Sequence, residues 1–141
     1  MKQTIPADAV SVELLVPFHD VDSLRVVWHG HYVKYVEIAR MEYLRRNRLS
    51  VRELEELGVM LMVAQTHLKH VSPLRHDDRF RVTAWLVEHR FRLEFEYEVF
   101  NLTTDKKSAT GRSVLAVVKA GTTEMFLRTP EEMVARLEKR A

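Results

Sequence analysis

The 141-residue sequence predicts a two-layer α+β domain, one long helix laid across one face of an antiparallel sheet. Two observations predict it. Apolar residues recur every three or four positions after Gly30, and the period changes to two after Gly58. A third bounds it: no internal repeat, low-complexity segment or shift in composition marks a linker, so residues 1–141 read as one domain.

Ser11 to Phe18 is a short apolar segment stopped by Pro17 and by His19-Asp20, and reads as a strand. From His31 to about Asn47, Tyr32, Val36, Ala39 and Tyr43 form a helical stripe that Tyr35, Ile38 and Leu44 widen. Arg40, Arg45, Arg46 and Arg48 give the C-terminal half of that helix cations that suit a helix C-terminus. Ser50 and Glu53 form a capping box for a short helix that ends at Gly58. Val59 to Val71 reads as a strand, with Met60 and Met62 on one face as core. Phe80 to Val87 alternates, and so does Phe91 to Val99, where Glu94, Glu96 and Glu98 require one wet face. Ser113 to Lys119 is more uniformly apolar, as in a central strand. Glu124 to Leu127 reads as a last strand, and Thr129 and Pro130 as the N-cap and first residue of a terminal helix. One sheet face is polar in one strand and apolar in others, which an oligomer pairing sheets or edges would resolve.

Composition narrows the function. Hydrophobic residues at 46% and charged residues at 30% fit a globular chain and exclude disorder over most of it. With no cysteine, a disulfide scaffold, a thiolate zinc site and cysteine nucleophile chemistry are excluded. A net charge of +2 is too small to point to nucleic acid. No stretch approaches the ~18 apolar residues of a membrane helix, and the first residues lack the apolar run of a signal peptide. The expectation is a cytoplasmic protein with no membrane partner.

The densest polar cluster is Phe18-His19-Asp20-Val21-Asp22-Ser23, followed by Val26-Val27-Trp28-His29-Gly30-His31-Tyr32. It joins the first strand to the long helix. Such a turn can aim a carboxylate at a helix N-terminus whose free N–H groups point outward, an arrangement suited to acyl transfer. Turn and cap residues are the plain alternative. Asp20, Asp22, His29 and His31 are also possible metal ligands, but their spacing matches no established metal motif. Ser23 lacks a Gly-x-Ser-x-Gly elbow, which argues against a serine triad. His67 and His70 fall on opposite strand faces, so they form no local site.

Phe18-His19-Asp20-Val21-Asp22, Val26-Val27-Trp28-His29, Tyr32 and Glu37-Ile38-Ala39-Arg40 resemble the signature of the 4-hydroxybenzoyl-CoA thioesterase family, in particular its small bacterial acyl-CoA thioesterases. The resemblance implies a hotdog fold over nearly the whole chain and hydrolysis of acyl-CoA thioesters. It puts the catalytic carboxylate on Asp22 and the carbonyl-polarising N–H on His29. Asp20, Val27, Trp28 and Tyr32 become substrate contacts, and Arg90 and Arg92 candidates for the CoA nucleotide. It implies a homodimer or homotetramer with sites at subunit interfaces, no cofactor and no metal. Where the family carries small residues or glycine after the catalytic Asp, this chain has Ser23-Leu24-Arg25, so Arg25 could narrow the acyl pocket or contact an anion.

Two rival readings share these residues. A hydratase or dehydratase of the same fold would use His29 or His31 with Asp22 to move a proton next to the carbonyl. A non-catalytic module would bind acyl thioesters without turnover. An acyl carrier protein could replace CoA, docking on Arg75, Arg79, Arg81, Arg90 and Arg92.

Overall fold

The structure is a computed structural model and describes residues 4–139. β1 (Val10–Leu15) runs into a single 3-10 turn at Phe18–Asp20 and then α1 (His31–Arg46) and α2 (Val51–Glu56). β2 (Val59–His70), β3 (Arg79–Glu88), β4 (Leu93–Asn101), β5 (Lys106–Lys119) and α3 (Glu131–Leu137) follow. The five strands make one antiparallel sheet in the order β1-β3-β4-β5-β2. With α1 laid on it, this is the hotdog arrangement.

α1 buries Tyr32, Tyr35, Val36, Ala39, Arg40, Tyr43 and Leu44. The stripe is the expected one except that Ile38 faces outward at 39% exposure and Arg40, expected as a cation of the C-terminal half, is buried in it. It meets the inner face of β3 and β4. Tyr35 lies 4.8 Å from Phe80 and Tyr43 meets Phe95 edge-on at 5.3 Å, centroid to centroid. In β4, Leu93, Phe95, Tyr97 and Val99 are buried while the intervening glutamates are half-buried on the other face. Burying each large apolar side chain here is worth about 1.5–3 kcal/mol, so the α1–β3–β4 contact carries most of the core. α2 starts on the Ser50–Glu53 capping box and ends before Gly58, whose φ of +71° suits glycine.

Several expectations change. β1 ends at Leu15, three residues short of the expected Phe18, as Pro17 lacks an N–H to continue the ladder, and Phe18 enters the 3-10 turn. β5 starts at Lys106, because pairing with both β4 and β2 holds a polar segment that has no hydrophobic pattern of its own. Glu124–Leu127 makes only an isolated bridge, Met125 to Val118. β4 stops opposite Leu115, and Phe126 N donates to the Val117 carbonyl that is left free there (2.9 Å). α3 is capped by Pro130 rather than Thr129, whose buried hydroxyl has no partner among the described residues.

β2 differs most. It pairs only with β5, carries an irregularity between Val63 and Gln65, and leaves Met60, Met62 and Val63 at 40–50% exposure. Met60 and Met62 are therefore not core. Among the described residues, no helix is long and apolar enough to cross a membrane.

Phe95 has no exposed surface and contacts α1 directly. Phe95→Ala should cost about 3–5 kcal/mol in urea unfolding; a loss below about 1 kcal/mol would contradict this account of the core.

Candidate active site

The β1–α1 connection is a miniature hairpin closed by a Val21–Val27 bridge. Asp22 N donates to Val26 O (2.9 Å), Arg25 N to Asp22 O (2.9 Å) and Trp28 N to Asp20 O (3.0 Å). Asp22 opens the turn at its tip and is half-buried. Its Oδ1 accepts from Leu24 N at 2.8 Å, which orients the carboxylate. Arg25 closes the turn at φ +65°, a left-handed conformation that favours glycine. Its side chain is exposed, so it does not narrow a pocket within this chain.

The hairpin delivers the chain to the N-terminus of α1. Gly30 occupies the cap position with no side chain to satisfy the helix. Trp28, His31 and Tyr32 donate their amides to backbone acceptors. Among the described residues the N–H of His29 donates to none, nor does that of Gly30. The result is an open donor at the positive end of a helix. The bare face of Gly30 receives the Trp28 ring: a Cβ there would stand 2.2 Å from it. Trp28 also lies against His29 and His31, at centroid distances of 5.2 and 5.4 Å, and stays 49% exposed as an apolar wall.

Beside His29 opens a cavity of about 300 Å³ lined by Val26, Val27, Tyr32, His70, Val71 and their neighbours. Val27 N is tied to Leu74 O (2.8 Å), fixing the wall of the cavity against the β2–β3 connection. His70 is a site residue that sequence reasoning misses. Its ring stands 4.7 Å from Tyr32 and 6.3 Å from His29. Burial, and then the neighbouring His29, lower its pKa below the ordinary imidazole value. Nothing in its strand pattern signals this, because the contact is made by the helix N-terminus and not along β2.

Other expected contacts move. Asp20 is 1% exposed, its carboxylate turned into the fold. Both its oxygens accept from Lys34 Nζ at 2.8 Å, and Oδ2 also accepts from Tyr35 OH at 2.5 Å. Burial alone would push its carboxyl up. Hydrogen bonds from Lys34 and Tyr35 and the charges of Lys34 and His31 outweigh that, holding it below the ordinary carboxylate value. Tyr32 lines the cavity with its ring, while its hydroxyl is engaged by Ser108 Oγ at 3.0 Å. Arg90 and Arg92 do not join this cluster within one chain. Arg79 pairs with Leu15 at the site's end of the sheet, and Arg90 follows the far end of the ten-residue β3, roughly 30 Å away. Among the described residues no three His, Asp or Glu side chains converge as metal ligands.

Comparisons with known proteins agree with the fold. The family model of the thioesterase-like superfamily matches residues 16–137. An acyl-CoA thioester hydrolase of Escherichia coli is 31% identical over 75 residues, 53% of this chain and 56% of that protein. A thioesterase of Thermus thermophilus, solved with coenzyme A and zinc, superposes with a TM-score of 0.74 at 28% identity, covering 91% of this chain and 96% of that one. A hypothetical protein of the same species reaches a TM-score of 0.82 at 27% identity over 94% and 99% of the two chains.

The Asp20 cluster makes a prediction about acid stability. The folded pKa lies below the unfolded value of about 3.9, so the stabilisation is present above roughly pH 4 and is lost as pH falls through the folded value. Asp20→Asn should lower neutral-pH stability by about 1.5–3 kcal/mol and flatten the acid limb of melting temperature against pH. An acid limb identical to wild type would rule the cluster out as its source.

Proposed function

The chain belongs to the thioesterase-like superfamily, and from that premise we propose that it hydrolyses acyl-CoA thioesters, with Asp22 as the catalytic carboxylate and the N–H of His29 polarising the thioester carbonyl. One observation carries the reading: an unengaged amide at an uncapped helix N-terminus, held on the same short hairpin as a half-buried carboxylate.

The chemistry follows from that pairing. The carbonyl oxygen sits against the His29 N–H, where the helix dipole favours the negative charge that develops on it. Asp22 then acts in one of two ways. It attacks the carbonyl carbon, the C–S bond breaks to release CoA thiolate, and water hydrolyses the resulting anhydride. Alternatively it takes a proton from water, whose oxygen attacks as the thiolate leaves. Both routes consume one water and give free acid and CoA. Trp28, Val27 and the Tyr32 ring supply the apolar surroundings that strengthen the oxyanion contact. His70 beside His29 is the observation favouring the second reading, a hydratase or dehydratase, since that chemistry needs an imidazole at the substrate. Product mass separates the two: loss of the acyl group against gain or loss of water.

A homo-oligomer belongs to the same proposal. β2 offers a twelve-residue edge with one side unpaired in this chain and with Met60, Met62 and Val63 exposed along it, the kind of edge that a second copy covers. Arg90 and Arg92 reach a site only from another copy.

Free-thiol release from a panel of short, long and aromatic acyl-CoAs tests the catalytic reading. Asp22→Asn should cut turnover by roughly 10²–10⁴-fold with the melting temperature nearly unchanged; wild-type rates in the variant would sink the assignment. Sedimentation or light scattering should give a mass of two or four copies, and a single copy at micromolar concentration would remove the oligomer.

A further inference from the structure

Arg40 is 7% exposed, yet its guanidinium is poorly satisfied. Among the described residues Nε is buried with no acceptor. NH1 reaches Tyr97 OH at 3.4 Å, and NH2 stands 3.8 Å from Glu37, whose side chain is 58% exposed. Tyr97 does not neutralise the charge: burial raises its pKa above the ordinary phenol value, and its hydroxyl is held at 2.6 Å by Ser113. A guanidinium presents five donors in a planar fork and is matched by a carboxylate, and a buried cation without such a match is costly.

Arg40 lies in the wall of a cavity of about 530 Å³ between α1, α2 and the start of β2. Leu44, Leu54, Leu61 and Leu115 make that wall largely apolar, with the carboxylates of Glu37 and exposed Glu55 also lining it. The cavity adjoins a second depression that reaches the start of the helix. A groove along the outer face of α1 begins at Gly30, next to the His29 amide, and shares Glu37 and Met41 with it. From the helix start to Arg40 is about 14 Å along the axis.

We propose that this cavity is a subsite for the far end of the acyl group, selecting thioesters whose acyl chain ends in a carboxylate, with Arg40 as the specificity-determining residue. The proposal rests on the thioesterase reading. The acyl chain runs from the His29 amide along α1, its methylenes replace water against the apolar wall, and its terminal carboxylate takes the place that Glu37 holds loosely at 3.8 Å.

The test compares ω-carboxyacyl-CoAs with methyl-terminated acyl-CoAs of matched length, as the ratio of their kcat/KM values. The wild type should favour the carboxylate-ended substrate by roughly 10- to 100-fold at its best chain length, the range for one buried charge-assisted pair. Arg40→Met should bring the ratio to near one. Glu37→Gln, which removes the competing carboxylate, should raise it. A wild-type ratio at or below one at every length overturns the subsite, as does an Arg40→Met ratio equal to wild type. If Arg40→Met does not fold, the wild-type and Glu37→Gln ratios decide. If the wild type hydrolyses no acyl-CoA, the thioesterase reading falls instead. Calorimetry of octanedioic against octanoic acid on the wild type then judges the subsite alone: tighter binding of the diacid, lost in Arg40→Lys, supports it, and equal binding of the two overturns it.

Discussion

The candidate site is built around the Asp20 carboxylate. It is buried, charged and enclosed by Lys34 and Tyr35 of the helix that follows it. A buried carboxylate without partners would be expelled or protonated, so its three hydrogen bonds tie the β1–α1 connection to the first turns of α1. Its backbone carbonyl also receives the Trp28 amide. One residue thereby sets both ends of the hairpin that presents Asp22 and the His29 N–H.

That clasp gives the helix N-terminus a use. Most helices satisfy their first amides with a side-chain cap, and α1 has glycine there. Leaving the amides open costs some stability, which the packing of Tyr35 and Tyr43 on Phe80 and Phe95 offsets. Rigid support on one side and an unsatisfied donor on the other is the arrangement that electrostatic stabilisation of an oxyanion needs, because the donor does not have to reorganise as charge develops.

Three features break the rules of a self-contained fold: an apolar strand edge on β2, a turn arginine at positive φ and a buried guanidinium short of acceptors. Such local inconsistencies concentrate where a chain meets something else. The proposals above give the β2 edge to a second copy and Arg40 to a substrate carboxylate. Arg25 is a cost in the turn, and nothing in the structure explains why glycine is not used there.

The helix, the alternating strands, the Ser50–Glu53 cap and the acidic turn before α1 are legible in the chain alone, because periodicity and capping are written within a few residues of one another. The motif that singles out Asp22 and His29 is equally local. Other features exist only once the chain has folded. Asp20 is clasped by Lys34 and Tyr35, His70 stands beside His29, Arg90 lies at the far end of the sheet, and the polar half of β5 is a strand. Each of these depends on which element lies across from which. A residue's own neighbours in the chain do not encode the charge or backbone that will face it once the sheet has closed over the helix.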